Sequence, residues 1–358
     1  MIKKLLCLAF LLLTFSYAQE KVFVVERENS ALSIIEDGKV NGQITDLKDF
    51  NHAVVKFRDR DGYVITRDGY VIKFDPITNK KLKEYKTSRS AIGFVIGENY
   101  VAVANYDNDT VEILSRDLEP IQTIKTDSKN VGIKIYNHYL VFAAMDNDEV
   151  WVMKDTAHGG YKPNFKVHKI IKDAGKLPFD AMINQNLYVV GFFNSTTVGV
   201  LDLMTMDYKK VSLANLGKKG RVLKVPHFGF WSISKGKFFI PAVGVQKVHV
   251  FDHDFNSIKS IDTEGMPVFT SLSPNKKYLC VTYSGKKFPV IEIVDTQSLK
   301  IIKRMEFDGK VLHIRWSKEK PVLYVSVNDT SKVEAVSTKS WKTEKSYDVP
   351  KPSGIFIF

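Results

Sequence analysis

The chain has 358 residues, 44% hydrophobic and 26% charged, with 52 Lys and Arg against 40 Asp and Glu for a formal net charge of +12. That balance excludes a disordered chain and a membrane-embedded bundle, and leaves enough globular material for two small domains or one large repetitive one. The basic excess fits a polyanionic ligand, a membrane surface or a nucleic acid, but the lysines are spread through turns such as "NKKLKEYK", "LGKKGR" and "SGKKF", the pattern of a solvated surface, and no nucleic-acid partner is expected.

The first twenty residues, "MIKKLLCLAFLLLTFSYAQE", place Lys3 and Lys4 before an apolar run over 5–15 and a small-residue cleavage site. This predicts a signal peptide over 1–18, export to the periplasm, and a mature domain over 19–358; the apolar run is short for a membrane span. Cys7 leaves with the signal, so the mature chain keeps only Cys280, in the strand-like "KKYLCVTYS", and no intrachain disulfide can form.

From residue 21 a single unit recurs. An apolar run ("HAVVKF", "AIGFVI", "VGIKIY", "FDAMIN", "HFGFWSI", "VFTSLS", "VLHIRWS") precedes a hairpin whose two alternating strands flank an Asn-, Asp-, Gly- or Ser-rich turn, as in "GYVITRDGYVIKFD" and "YVAVANYDNDTVEIL". A fourth strand such as "KKLKEYK" or "PIQTIKT" follows. Four short strands at a spacing of roughly 40–48 residues match a propeller blade. Seven units are complete. The N-terminal "KVFVVERENSALSIIED" lacks a leading strand and the C-terminal "SGIFIF" is a leading strand without a blade. Joining them predicts an all-β, eight-bladed β-propeller of four-stranded antiparallel blades, its ring closed by pairing of the N- and C-terminal strands.

In an antiparallel blade the start of the inner strand and the turn between the second and third strands lie at one end. That rim therefore collects His52, Arg67, Arg89, Asn105, Tyr106, Asp146, Asp180, Phe192 with Phe193, and His227. Two imidazoles, two guanidinium forks, carboxylates and aromatic rings suit a large planar ligand with acidic substituents. From position alone, His52 and His227 could each satisfy a backbone group or ligate a metal. Arg67 could be a solvated turn residue, Asp146 and Asp180 could bridge blades, and one of Phe192 and Phe193 should be core because successive strand residues alternate faces. There is no CxxCH, HExxH, P-loop, GxSxG or paired-cysteine zinc pattern.

The stretches "VFVVERENSALSIIE", "HAVVKFRDRDGYVITRDGYVIKFDPITNK", "VAVANYDND", "LPFDA", "VPHFGFW", "FIPAVG" and "PSGIF" resemble the NirF family of exported haem d1 biosynthesis propellers, itself similar to the haem d1 domain of cytochrome cd1 nitrite reductase. The resemblance implies non-covalent binding of haem d1 or dihydro-haem d1 in the central cleft. It implies His52 as proximal ligand of the haem iron, Arg67 and Arg89 on the tetrapyrrole carboxylates, His227 on the opposite face, and Asp146 and Asp180 as pocket acids. It also implies transient encounters with the nitrite reductase and its dehydrogenase-like relative, and raises a homodimer. Two roles follow: a protein that binds and delivers the tetrapyrrole, or an enzyme, such as an oxidoreductase acting on a haem d1 precursor, with His227 and Asp146 or Asp180 as acid–base groups. A sugar-lactone hydrolase propeller would want converging calcium carboxylates that the sequence does not assemble.

Overall fold

Among the residues described by the computed structural model (20–51, 53–157, 162–213, 232–234 and 236–358), the chain forms eight four-stranded antiparallel sheets. Within each sheet the strands follow one another outward from the axis and are called A to D. The A strands of blades 1 to 8 are Val54–Arg58, Ala91–Ile96, Asn130–Tyr136, Pro178–Asn184, Ser232–Ser234, Met266–Leu272, Val311–Trp316 and Pro352–Ile357.

Blade 8 takes its A strand from the C-terminus and its other three, Val22–Glu26, Ala31–Glu36 and Lys39–Ile44, from the N-terminus. Val22 pairs with Ile357, Phe23 with Phe356 and Val24 with Ile355, as the complementary end fragments require. Outside the sheet, the Phe358 N–H donates to the Lys21 carbonyl at 3.0 Å, and the Ser317 hydroxyl and Lys318 N–H of blade 7 donate to Glu20 at 2.9 and 2.7 Å.

Each blade buries both faces against its two neighbours, so its B and C strands are apolar at successive positions instead of alternating with water. In blade 1, Tyr63, Ile65 and Val71 pack toward blade 2, while Val64, Ile72 and Phe74 pack toward blade 8. Eight apolar clusters result, one in each gap between consecutive blades, including the gap between blades 8 and 1. Cys280 is fully buried in the cluster between blades 6 and 7, where burial pushes its thiol well above the ordinary range and leaves it unreactive.

The A strands bond on only one edge; the other faces the axis. Six of them, in blades 2, 3, 4, 6, 7 and 8, carry register shifts against their B strands. Such bulges re-aim side chains toward the channel. Blade 1, with Lys56 opposite Tyr63 and Arg58 opposite Asp61, pairs without one.

Candidate functional site

One hydrogen bond recurs around the rim and brings the two sets of turns together. In six blades the N–H of a residue in the B–C turn donates to a carbonyl just ahead of the same blade's A strand: Arg67 to Asp49 (3.0 Å), Tyr106 to Ser90 (2.8 Å), Met145 to Lys129 (2.8 Å), Phe193 to Leu177 (3.0 Å), Asn328 to Lys310 (2.9 Å) and Arg27 to Lys351 (3.3 Å). Backbone groups that would otherwise end unpaired at a strand terminus are thereby satisfied. The rim is consequently a rigid platform from which the turn side chains project.

Arg67 stands on a turn closed by the Thr66 N–H on the Tyr70 carbonyl (2.9 Å) and braced by the Thr66 hydroxyl on Asp68 (2.5 Å). Gly69 has φ +80°, and a Cβ there would lie 2.3 Å from the Ser88 carbonyl oxygen, so the close approach of this turn to the Arg89 loop needs glycine. The Arg67 guanidinium lies 5.5 Å from the centroid of the Tyr106 ring of blade 2, and the Lys129 ammonium stands 5.8 Å from that same centroid. Lys129 in turn reaches both oxygens of Asp146 at 3.1 Å, and its backbone N–H donates to Asp146 at 3.0 Å. Asp146 holds the Lys129 ammonium above its ordinary value. An arc of cation, aromatic ring, cation and carboxylate thus crosses blades 1 to 3. Arg89 is exposed beside it, with no ion-pair partner among the described residues.

Other expected rim residues fall elsewhere. Asn105 is fully buried: its amide oxygen accepts from the Thr87 hydroxyl and its amide nitrogen donates to the Thr110 hydroxyl, both at 2.9 Å, so it cross-links the turn from inside. Phe192 is fully buried beside Gly175, while the half-buried Phe193 meets Phe179 at 4.8 Å between ring centroids and is the ring nearer the surface. Asp180, on the A strand of blade 4, lies below the rim and lines a small channel cavity of about 140 Å³ with Lys56 and Lys134. His52 and His227, the expected iron ligand and opposite-face histidine, lie outside the described residues.

Lys129, and a second group of cations in the channel, fall outside the rim residues expected from the sequence. Lys56, Arg58, Lys134, Arg315 and Lys318 line a cavity of about 570 Å³ with Phe57, Trp316 and Phe356, at the C-terminal ends of the A strands. It therefore opens at the end of the channel opposite the rim. Lys56 and Lys134 line both this well and the smaller cavity with Asp180. Burial, with Lys134 adding repulsion, brings the Lys56 ammonium down to about 7; burial brings Lys134 down to about 8, against the opposing pull of Asp180. Both side chains are half-buried by area because the cavity itself is accessible, yet protein surrounds them, so burial dominates. The signal lay in cations inside inner-strand runs, "VVKFR", "VGIKIY" and "LHIRW", which alternate like half-exposed strands but face the axis.

The fold and rim define an eight-bladed propeller with a cationic and aromatic platform at one end of its axial channel. The chain belongs to the cytochrome d1 haem domain family, which it matches over residues 17–358. It is 28% identical to Protein NirF of Pseudomonas aeruginosa, over 93% of this chain and 90% of that one, and 27% identical to Protein NirF of Stutzerimonas stutzeri with the same coverage. Among solved structures it is similar in fold to dihydro-haem d1 dehydrogenase NirN in complex with DHE, with TM-score 0.80 and 20% identity over 94% of this chain and 74% of that one. It also resembles apo AztD of Citrobacter koseri, with TM-score 0.72 and 14% identity over 95% and 98% of the two chains.

Proposed function

We propose that this chain is an exported tetrapyrrole-handling protein of haem d1 biosynthesis, which binds haem d1 or dihydro-haem d1 at the rim of its axial channel and delivers it in the periplasm. The observation that carries the reading is the arc of Arg67, Tyr106 and Lys129: a guanidinium without a carboxylate partner among the described residues, laid against an aromatic ring, with a second cation on the ring's other neighbour. A flat macrocycle bearing carboxylates needs that donor set, with planar apolar contact beside fixed positive charge. Membership of the cytochrome d1 haem domain family and likeness to the NirF relatives support the same ligand class.

In this reading Arg67 and Arg89 take the acid substituents, Tyr106 and Phe193 supply apolar walls, and Asp146 fixes Lys129. His52 holds the iron from the proximal side and His227 faces it, both roles resting on the resemblance. Asn105 and Phe192 act from beneath, holding the turns that carry these groups. The cytochrome cd1 nitrite reductase and its dehydrogenase-like relative are the recipients, and a homodimer is the working assembly.

A second reading makes the chain an enzyme on the bound precursor. One observation favours it: Asp180 is buried in the channel near Lys134, a pairing able to hold or move a proton below the ligand. Titration of the purified protein with dihydro-haem d1, followed by its visible spectrum, tests the first reading; a saturable one-to-one complex is expected, and the absence of any complex sinks it. If Asp180→Asn binds normally yet fails to restore haem d1 production in a deletion strain, pure delivery is wrong.

A further inference from the structure

We propose that the well at the end of the channel opposite the rim is a second binding site, for a small organic anion carrying carboxylate or phosphate groups. Five cationic side chains line it, Lys56, Arg58, Lys134, Arg315 and Lys318, and among the described residues no carboxylate does. Its volume of about 570 Å³ falls within the roughly 300–1,000 Å³ of small-molecule sites. Trp316, Phe57 and Phe356 add apolar wall, so the ligand that fits has an apolar portion as well as its charge.

The simplest alternative is that these cations only satisfy the backbone. An A strand turns an unpaired edge to the axis, and the cations do reach its carbonyls: Lys56 donates to Phe94, Arg58 to Ile96 (3.0 Å), Arg315 to Ile355 (3.1 Å), Lys318 to Ile357 (3.4 Å) and Lys134 to Ile133 (3.2 Å). A carbonyl needs one neutral donor, however, and water in a cavity of this size would serve. A carbonyl bond does not cancel a charge, and collecting like charges in a partly buried site is unfavourable unless something else gains from it.

The carboxylates nearby stand outside the well. Asp59 lies 4.0 Å from Arg58 but is largely exposed and is also bonded by Arg116 at 3.3 Å. Glu20 accepts from Ser317 and from the Lys318 backbone, and Asp180 stands on the side of Lys134 that faces the smaller cavity. The geometry therefore leaves an anion hole ringed by forks and ammonium groups, which an oxyanion of either chemistry would complete.

The test uses the apo protein at fixed ionic strength, with inorganic phosphate, citrate and chloride compared by thermal unfolding and calorimetric titration. Phosphate or citrate is expected to raise Tm above the chloride control and to bind saturably, and the stronger of the two identifies the source chemistry. Arg58→Gln and Lys318→Gln, at the well's mouth, should each weaken that binding about fivefold. No rise above chloride overturns the proposal, as does a rise that both variants leave unchanged. Dihydro-haem d1 titrated into the same variants separates the two ends of the channel. Unchanged affinity is expected; a parallel loss would make the well part of the tetrapyrrole site and overturn a second one. If dihydro-haem d1 binds no form of the protein, the reading of the rim fails while the anion arm stands on its own result.

Discussion

The Arg67 guanidinium lies 5.5 Å from the centroid of the Tyr106 ring, and the two residues come from the B–C turns of neighbouring blades. Neither turn alone makes a site; the bonds from Arg67 to Asp49 and from Tyr106 to Ser90 set both turns at one height, so the contact is built by ring packing.

Arg67→Ala should weaken dihydro-haem d1 binding about tenfold, from loss of a charge-assisted contact on a partly desolvated surface. Arg67→Lys should recover only part of it, because an ammonium lacks the planar fork. Titration followed at the absorbance maximum checks both, and wild-type affinity in Arg67→Ala would remove the arc from the site.

Asn105 should behave in the opposite way. Its amide bonds the half-buried Thr87 and Thr110 hydroxyls from a fully buried position, so Asn105→Ala removes both bonds from inside the turn and should cost about 1–3 kcal/mol of stability. Chemical denaturation measures the loss. Ligand affinity at a temperature where the variant is folded should change less than twofold to threefold on the same scale, roughly 0.5 kcal/mol.

Lys56 supplies a pH dependence. Burial holds its folded-state value near 7, below the ordinary 10.5 of the unfolded chain, so between those values the unfolded chain binds more protons and stability rises with pH. Below about 7 both states carry the charge and the whole penalty is in place; above 10.5 neither does. Lys56→Met should therefore stabilise the apo protein most near pH 6, by roughly 2–4 kcal/mol after allowance for channel water, and little near pH 10.5. A gain that does not shrink with rising pH would assign it to packing instead.

Much of this was legible because each level repeated the same message. The hairpin signatures recur, the two end fragments complement each other, and strand direction alone sends the start of an inner strand and the "RDG" turn to one rim. What the sequence could not reveal was phase. Phe192 is core and Phe193 is the ring nearer the surface, an assignment that a shift of one residue would exchange, and a bulge such as that between Pro178 and Ala181 leaves no mark in an apolar run. Lys56 and Lys134 were hidden for a related reason: an inner strand facing a channel alternates like one facing solvent, so its lysines read as surface.

Gly132 tests the phase argument directly. It sits in the bulge of the blade 3 A strand with φ +61°, and a Cβ there would lie 3.0 Å from the Ala181 Cβ, the Phe179 carbonyl and the Tyr188 hydroxyl. Gly132→Ala should cost about 1–3 kcal/mol, whereas at Gly93, where the nearest atom is Ile133 Cγ2 at 3.5 Å, alanine should be nearly neutral. Equal Tm values for the two variants would show that the bulge is not held by sterics.

The closing strand carries the last prediction. Phe356 pairs with Phe23 across blade 8, is 5% exposed, and lies 5.6 Å by ring centroid from His313 and 5.6 Å from the Arg315 guanidinium. Removing its ring opens a void where blades 7, 8 and 1 meet the axis, so Phe356→Ala should cost about 3–5 kcal/mol. Ile302, on an outer strand and 48% exposed, should tolerate alanine within about 0.5 kcal/mol. Deleting residues 352–358 goes further, because the strand Val22–Glu26 then presents an open edge to the channel and the ring has no closing element. That truncation should abolish cooperative unfolding by calorimetry and promote association; a monomer that melts in a single transition would show that the propeller does not depend on its seam.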